Sequence, residues 1–537
     1  MVLGGASLAA AAVLTSWLAV PLGSIPTILL AAVITALGAV VFGRWRPEAP
    51  ILALLFTAAL IGSPIVPAEY RYIPTLMCMT TSVATFGQCL YRGDRLQIPV
   101  RRVAILLVAY AAAAGISTIT STDQRLSLMY FGGIVLSLGT AFIAAPTLLK
   151  TATARFALAA TAGVIGVVLA IASFALWLLG PVPAFDHSLG IYLITELRLG
   201  ESLTGLVIPR ASGPYTVPGY QAFNLSIALF SMLAIRRMVG PRTRRALLVG
   251  ITLIILAILM TMARTGWLVA IVGTLVFAAI VAERARSGGS GVPRRRFVDG
   301  AALGAFVVLG VTLGGLLTNM IGAEARYDIA KARYGDVAAG TTEEDIVSGV
   351  VLPPAPGTGG TTPEPPPTAV RGGADSSSRA AIWAASLEAI MERPLTGYGP
   401  GTNAAALAPF LTGANVIYRG LTSHSTWLRT ALEMGVIGLV AMLGVVAATA
   451  STILRHRSVD GRLLEPSMWA LVAATAAIFV AQSIETLLLG GLTYASLYWA
   501  LAMGMIVARP AAAAGPATID RGPGDRSPLR PAAGERA

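Results

Sequence analysis

Residues 241–286 read PRTRRALLVGITLIILAILMTMARTGWLVAIVGTLVFAAIVAERAR. Two apolar runs, near 246–262 and 266–282, are separated by little more than Ala263, Arg264 and Thr265. Each has about the 17–25 residues a helix needs to cross a hydrocarbon core of roughly 30 Å. Arg242, Arg244 and Arg245 precede the pair, and Arg284 and Arg286 follow it. Basic residues collect on the cytoplasmic side of membrane spans, so both open ends lie on one side and the turn at Arg264 on the other. The stretch is a tight transmembrane hairpin.

The same pattern extends over the chain, which is 55% hydrophobic and 12% charged, with a mean hydropathy of +0.74. That composition excludes a soluble globular protein of 537 residues. Fourteen candidate spans lie near 5–22, 24–43, 50–66, 72–91, 102–119, 127–146, 156–180, 216–235, 246–262, 266–282, 298–318, 426–453, 467–487 and 493–508. The expected fold is an all-α polytopic membrane protein of about 12–14 transmembrane helices, with a large external loop that contains an amphipathic helix.

Arginines and lysines fall in every second loop, as at Arg92/Arg95/Arg101/Arg102, Lys150/Arg155 and Arg455/Arg457/Arg462. These loops and both ends of the chain hold 26 Lys/Arg against 9 Asp/Glu, and the other side holds 13 against 17. The basic excess of +13 is thus a topology signal rather than a nucleic-acid footprint, and both termini are expected in the cytoplasm. The first span lacks a basic leader, which favours a retained helix over a cleaved signal peptide. Cys78 and Cys89 fall within one span, so no disulfide framework or metal cluster is indicated.

The spans organise the chain as transmembrane helices over 1–318, a large external loop over 319–425, the last helices over 426–508 and a disordered tail over 509–537. A shorter external loop occupies 181–215 and carries Asp186, His187, Arg198 and Arg210. Within the large loop, 338–373 is rich in Gly, Pro and Thr and reads as a disordered linker. Ile382, Trp383, Leu387, Ile390 and Met391 then have helical spacing, so a helix is expected over 376–393, ended by Pro394. GYGPGT follows, with Gly397, Gly399 and Gly401 in a turn that lets backbone amides approach closely.

Three histidines occur in the whole chain. His424 closes the large loop just before a span, where an isolated His is usually a polar interface residue but where an imidazole titrating near neutrality also suits a general base. His187 is a rival on the same side, and His456 sits among cytoplasmic arginines. Arg264 is either a snorkelling interface residue or a functional cation. Arg379, next to Ser376–Ser378 at a helix start, is either an ordinary surface charge or part of an anion site. Arg429 stands four residues before Glu433, the spacing of an intrahelical pair, and Glu485 is also expected to pair with an arginine. Gly435 and Gly438 most simply allow close helix packing. No zinc-type cluster, paired carboxylates for a divalent metal, or phosphate-binding Gly loop appears, so no cofactor is indicated.

The ordered set of Arg264 in a tight hairpin, SSR…W…P…GYGPG in a large loop, and SHSTWLRTALEMGVIGLV after it resembles the O-antigen ligase and O-antigen polymerase superfamily. The Glu–x–Gly–x–x–Gly pattern of that family reads Glu433–Met434–Gly435–Val436–Ile437–Gly438, whereas Ser425 stands where the family has Asn after its histidine. The resemblance covers about 246–445. It implies a metal-independent inverting glycosyltransferase of the bacterial cytoplasmic membrane. Such an enzyme moves a glycan from a polyprenyl-diphosphate-linked donor to a hydroxyl of a glycan acceptor on the outer face. Arg264, Arg379 and His424 match the family's essential residues. Arg198, Arg210, Trp383, Gly399 and Arg429 are further candidates for holding substrate. Two other readings are a transporter or flippase of lipid-linked sugars, and a peptidoglycan-type polymerase using an acidic residue, perhaps in 181–215. Charges gathered at helix ends and the lack of repeats disfavour the transporter.

Overall fold

A computed structural model describes residues 46–61, 72–179, 182–184, 187–196, 206–215, 218–261, 263–286, a few residues between 304 and 312, 376–412, 422–455, 465–483, 485 and 487–508. The spans expected at 5–22 and 24–43, most of that at 298–318, the 338–373 linker, the 509–537 tail, Arg198 and His456 lie outside these residues.

The body is an all-α polytopic bundle. Its helices are α1 (Ala49–Ala58), α2 (Tyr72–Tyr91), α3 (Arg101–Ile119), α4 (Gln124–Leu148, π-helical over Thr140–Ala144) and α5 (Ala152–Leu179). After three short strands come α6 (Pro218–Met238), α7 (Pro241–Met260) and α8 (Arg264–Arg286). Then follow α9 (Ser376–Glu392), the single-turn-and-a-half α10 (Asn403–Leu407), α11 (Thr426–Arg455), α12 (Pro466–Ala481) and α13 (Tyr494–Val507). Among the described residues, six helices are long and apolar enough to cross a membrane, namely α3, α4, α5, α7, α8 and α11. Three apolar helices, α1, α12 and α13, are shorter.

Helix α6 explains why length and hydropathy alone undercount the bundle. It carries Gln221, Asn224, Ser226 and Ser231, yet it is buried from Pro218 to Ile235 between α5, α7, α8 and α12. Most of the polar atoms described for it are satisfied locally, although Gln221 Oε1 is buried with no partner among the described residues. Ser226 and Ser231 donate to carbonyls one turn back, and the Gln221 amide donates to Ser173 Oγ at 2.7 Å and to the Leu169 carbonyl at 3.1 Å. A buried polar group so paired costs little. Small residues bring the neighbours close: a side chain at Gly266 would overlap Ala222, and one at Gly166 would overlap Ala228.

Two expected spans end early. Among the described residues, the one expected over 50–66 is helical over Ala49–Ala58 and passes into a turn. The one expected over 467–487 stops at Ala481, because the backbone beyond it folds across the start of α11. There the carbonyls of Gln482 and Glu485 accept from the Thr426 amide at 2.9 and 3.1 Å, satisfying a donor that a helix start leaves unpaired.

The bundle has two chemically distinct ends. At the basic end, Lys150 pairs with Asp94 at 2.8 Å, and Arg155 binds Glu465 through two bonds of 2.6 and 2.8 Å, tying α5 to α12. At the opposite end lie the α7–α8 turn, α9, α10 and the start of α11. The stretch expected as a loop over 181–215 also emerges there and contains strands: β1 (Val182–Ala184), β2 (His187–Glu196) and β3 (Leu206–Gly213) form an antiparallel sheet. Arg210 stands opposite Tyr192 in its register, and His187 opposite Ala184.

Candidate functional site

Helix α11 is not continuous. Gly435 has φ 69° and ψ 179°, which no helical residue adopts and which favours glycine. The break frees the carbonyls of Leu432 and Glu433, and the Pro394–Gly399 segment docks into it backbone to backbone. Tyr398 and Gly399 donate their amides to Leu432 and Glu433, each at 2.9 Å, while Val436 donates to the Pro394 carbonyl at 2.7 Å. Ser117 Oγ of α3 also donates to the Glu433 carbonyl. The Leu432 and Glu433 carbonyls and the Val436 amide thus find partners at the break, as apolar surroundings require. The GYGPGT amides approach a helix of the protein itself, and Gly435 serves as the break as well as a close contact.

Beside the break, the Glu433 carboxylate is fully buried and accepts from Arg429 Nε at 2.8 Å. This is the intrahelical pair expected from the spacing. Arg429 and Gly399, both candidates for holding substrate, are therefore engaged here with Glu433.

About two helical turns nearer the bundle end than Glu433, α11 begins at Thr426 and is preceded by Ser423, His424 and Ser425. His424 is half-buried and is the one described non-glycine residue with positive φ, at 47°. Burial, and then the nearby positive charge of Arg379, lower its pKa below the ordinary histidine value. It is therefore neutral at physiological pH and able to accept a proton.

Arg379 lies in the first turn of α9, with Trp383 one turn on along the same face. The Trp383 indole donates to the Ser423 carbonyl at 2.9 Å, so the helix carrying Arg379 is fastened to the residue before His424. Arg379 Nη2 stands 4.0 Å from Glu485 Oε1, and its Nε is buried without an acceptor among the described residues. Glu485, expected to meet an arginine, does so. The same carboxylate oxygen accepts from Thr265 Oγ1 at 3.3 Å, so it also reaches the first turn of α8.

Arg264 is the residue before Thr265 and is exposed at the tight α7–α8 turn. Thr261 Oγ1 accepts from the Ala263 amide at 3.3 Å, and the Trp267 indole donates back to the Ile258 carbonyl at 3.2 Å, bracing that turn. Two arginines, one neutral histidine and one carboxylate from four separate stretches therefore share one bundle end. Arg210 is placed on β3 by its backbone. Sequence reasoning missed Asn403, a buried residue whose side chain contacts Ser423; a lone Asn after a Gly-rich turn carries no signal without the fold.

Residues 249–443 match the family model described as O-Antigen ligase. That match supports the resemblance to the O-antigen ligase and O-antigen polymerase superfamily over this stretch. A comparison with curated proteins finds no match. The matched stretch runs from the middle of α7 to the second half of α11, so it takes in Arg264, Arg379, His424 and the helix break. Glu485 lies outside the ligase-family stretch yet completes the cluster in space.

Proposed function

We propose that the protein is a metal-independent inverting glycosyltransferase, a polysaccharide polymerase or glycan ligase. It would transfer a glycan from a polyprenyl-diphosphate carrier to a sugar hydroxyl at the outer face of the bacterial cytoplasmic membrane. The observation that carries this reading is the pairing of a half-buried neutral His424 with Arg379, whose buried Nε has no acceptor among the described residues. The distribution of Lys and Arg supports an outward-facing position for that bundle end.

Transfer breaks the bond between the anomeric carbon and the diphosphate oxygen and forms one from that carbon to the acceptor oxygen. Charge grows on the departing diphosphate. Guanidinium groups bind such oxyanions bidentately and stay charged, so Arg379 and Arg264 stabilise the transition state more than the bound donor. The acceptor attacks from the opposite face, and its proton passes to the imidazole of His424. The diphosphate leaving group supplies the driving force.

The test is transfer in detergent by purified protein carrying His424→Ala. Loss of product with accumulation of lipid-linked donor supports the assignment, and undiminished product overturns it. Conversion in detergent by the unaltered protein also separates an enzyme from a flippase, which requires two compartments.

A further inference from the structure

We propose that Asn403 is a positioning residue for His424, acting with the Trp383 indole through Ser423. The proposal rests on the reading of His424 as the proton acceptor, but its geometry stands independently of that reading.

Ser423 is fully buried, and the polar atoms described for it are all engaged. Its amide donates to Asn403 Oδ1 at 2.9 Å, its carbonyl accepts from Trp383 Nε1 at 2.9 Å, and its hydroxyl donates to the Ser425 carbonyl at 3.2 Å. Asn403 Nδ2 reaches the same hydroxyl at 3.4 Å. Asn403 is itself 2% exposed at the start of α10. That helix packs Ala406 and Leu407 with Ile382, Ala385 and Ala389 of α9 and Leu432 of α11 in a small separate core. On the far side of His424, Thr426 is held by its amide and hydroxyl to the backbone of Gln482, Glu485 and Leu487.

His424 and Ser425 thus form a two-residue span between two fixed points, and the left-handed φ of His424 follows from that. A non-glycine residue rests in this region only when its surroundings over-determine it. Without the Asn403 bond, Ser423 loses its hold on the α9–α10 core, and His424 is free to relax to an ordinary backbone conformation. The imidazole would then leave its half-buried place beside Arg379. The charged group that acts on the imidazole is Arg379 on α9, which in turn faces Glu485 beyond α12.

Histidine labelled with ¹³C at Cε1 gives three resonances in this chain, and His424 is assigned by the one missing in His424→Gln. In the unaltered protein it titrates below about 6.5, the ordinary value. In Asn403→Ala its midpoint moves up toward that value while the other two histidines stay fixed. Trp383→Phe keeps the ring's packing and removes only the N–H donor, so it should move the same resonance in the same direction even if Asn403→Ala folds poorly. Each variant should also lower turnover about tenfold, with the donor KM unchanged. A His424 midpoint that is unmoved in both variants overturns the positioning role. A shifted midpoint with undiminished transfer upholds positioning and overturns instead the assignment of His424 as the base.

Discussion

Arg379 Nη2 and Glu485 Oε1 stand 4.0 Å apart, and the same oxygen receives the Thr265 hydroxyl at 3.3 Å. One carboxylate thereby joins the first turn of α9 to the first turn of α8, the two elements that carry Arg379 and Arg264. Glu485→Gln keeps an acceptor for Thr265 but removes the counter-charge that orients the guanidinium. Turnover is expected to fall about tenfold while donor KM does not rise, because the net positive charge facing a diphosphate increases. Steady-state kinetics with a lipid-linked donor decide this; a raised KM at unchanged turnover would mean that Glu485 acts elsewhere.

Arginine identity should matter at position 379. A lysine there keeps the charge but loses the planar fork and the buried Nε donor. Arg379→Lys is therefore expected to lose about 100-fold in turnover, the scale seen when a donor to a developing oxyanion is removed. If Arg379→Lys works as well as the native residue, a point charge suffices and the bidentate role is wrong.

The all-α polytopic class was legible in the sequence because length and apolarity are additive along the chain, and each needs only local residues. The Arg429–Glu433 pair was legible for the same reason, since four residues make one turn. The break at Gly435 was not, because the Glu–x–Gly–x–x–Gly spacing equally fits a continuous helix packed closely on a neighbour. Only the docking of Pro394–Gly399, some forty residues earlier in the chain, makes the positive φ favourable. Asn403 was hidden likewise, since it acts across twenty residues on Ser423, which is unremarkable locally; that Glu485 meets an arginine was legible, but not that the arginine is Arg379 on a distant helix.

The pH dependence follows from the direction of the His424 shift. Burial and Arg379 lower its pKa, so the neutral, proton-accepting form persists below the ordinary value of about 6.5. Transfer should hold as pH falls through 6.5 and decline only on further acidification. Removing the nearby positive charge with Arg379→Gln relieves part of the shift, so the acid limb of the residual activity should move to higher pH. A limb that stays in place would show that another group controls it.

Glu433 and Arg429 should behave as a structural unit. The carboxylate is fully buried and the arginine side chain 16% exposed. Glu433→Ala strands a cation inside the bundle and should cost about 3–5 kcal/mol, read as a fall in thermal midpoint in detergent. The double change Arg429→Met with Glu433→Leu removes both charges and should recover most of that loss. If the double variant is stable and still transfers glycan, Arg429 does not hold substrate; if it is stable and inactive, it does.

Gly435→Ala probes the helix break itself. At φ 69° an added Cβ would overlap the Leu395 carbonyl oxygen, which belongs to backbone and cannot swing aside. Relief requires Pro394–Gly399 to back away from α11, which breaks the three backbone bonds at 2.7 to 2.9 Å made by Tyr398, Gly399 and Val436. The freed carbonyls of Leu432 and Glu433 would then be unpaired inside an apolar bundle, each costing about 1–3 kcal/mol. Since Gly397–Gly401 leads directly into α10 and Asn403, the displacement should reach Ser423 and His424. Loss of both thermal stability and transfer is therefore expected from one added methyl group far along the chain from either arginine. Gly438→Ala is the comparison on the same helix: its added Cβ would crowd Met434 Cβ at 2.6 Å, so it also perturbs packing, but it displaces no docked backbone segment and should cost less. A greater loss in Gly438→Ala than in Gly435→Ala would show that close helix packing, and not the break, is what the paired glycines provide.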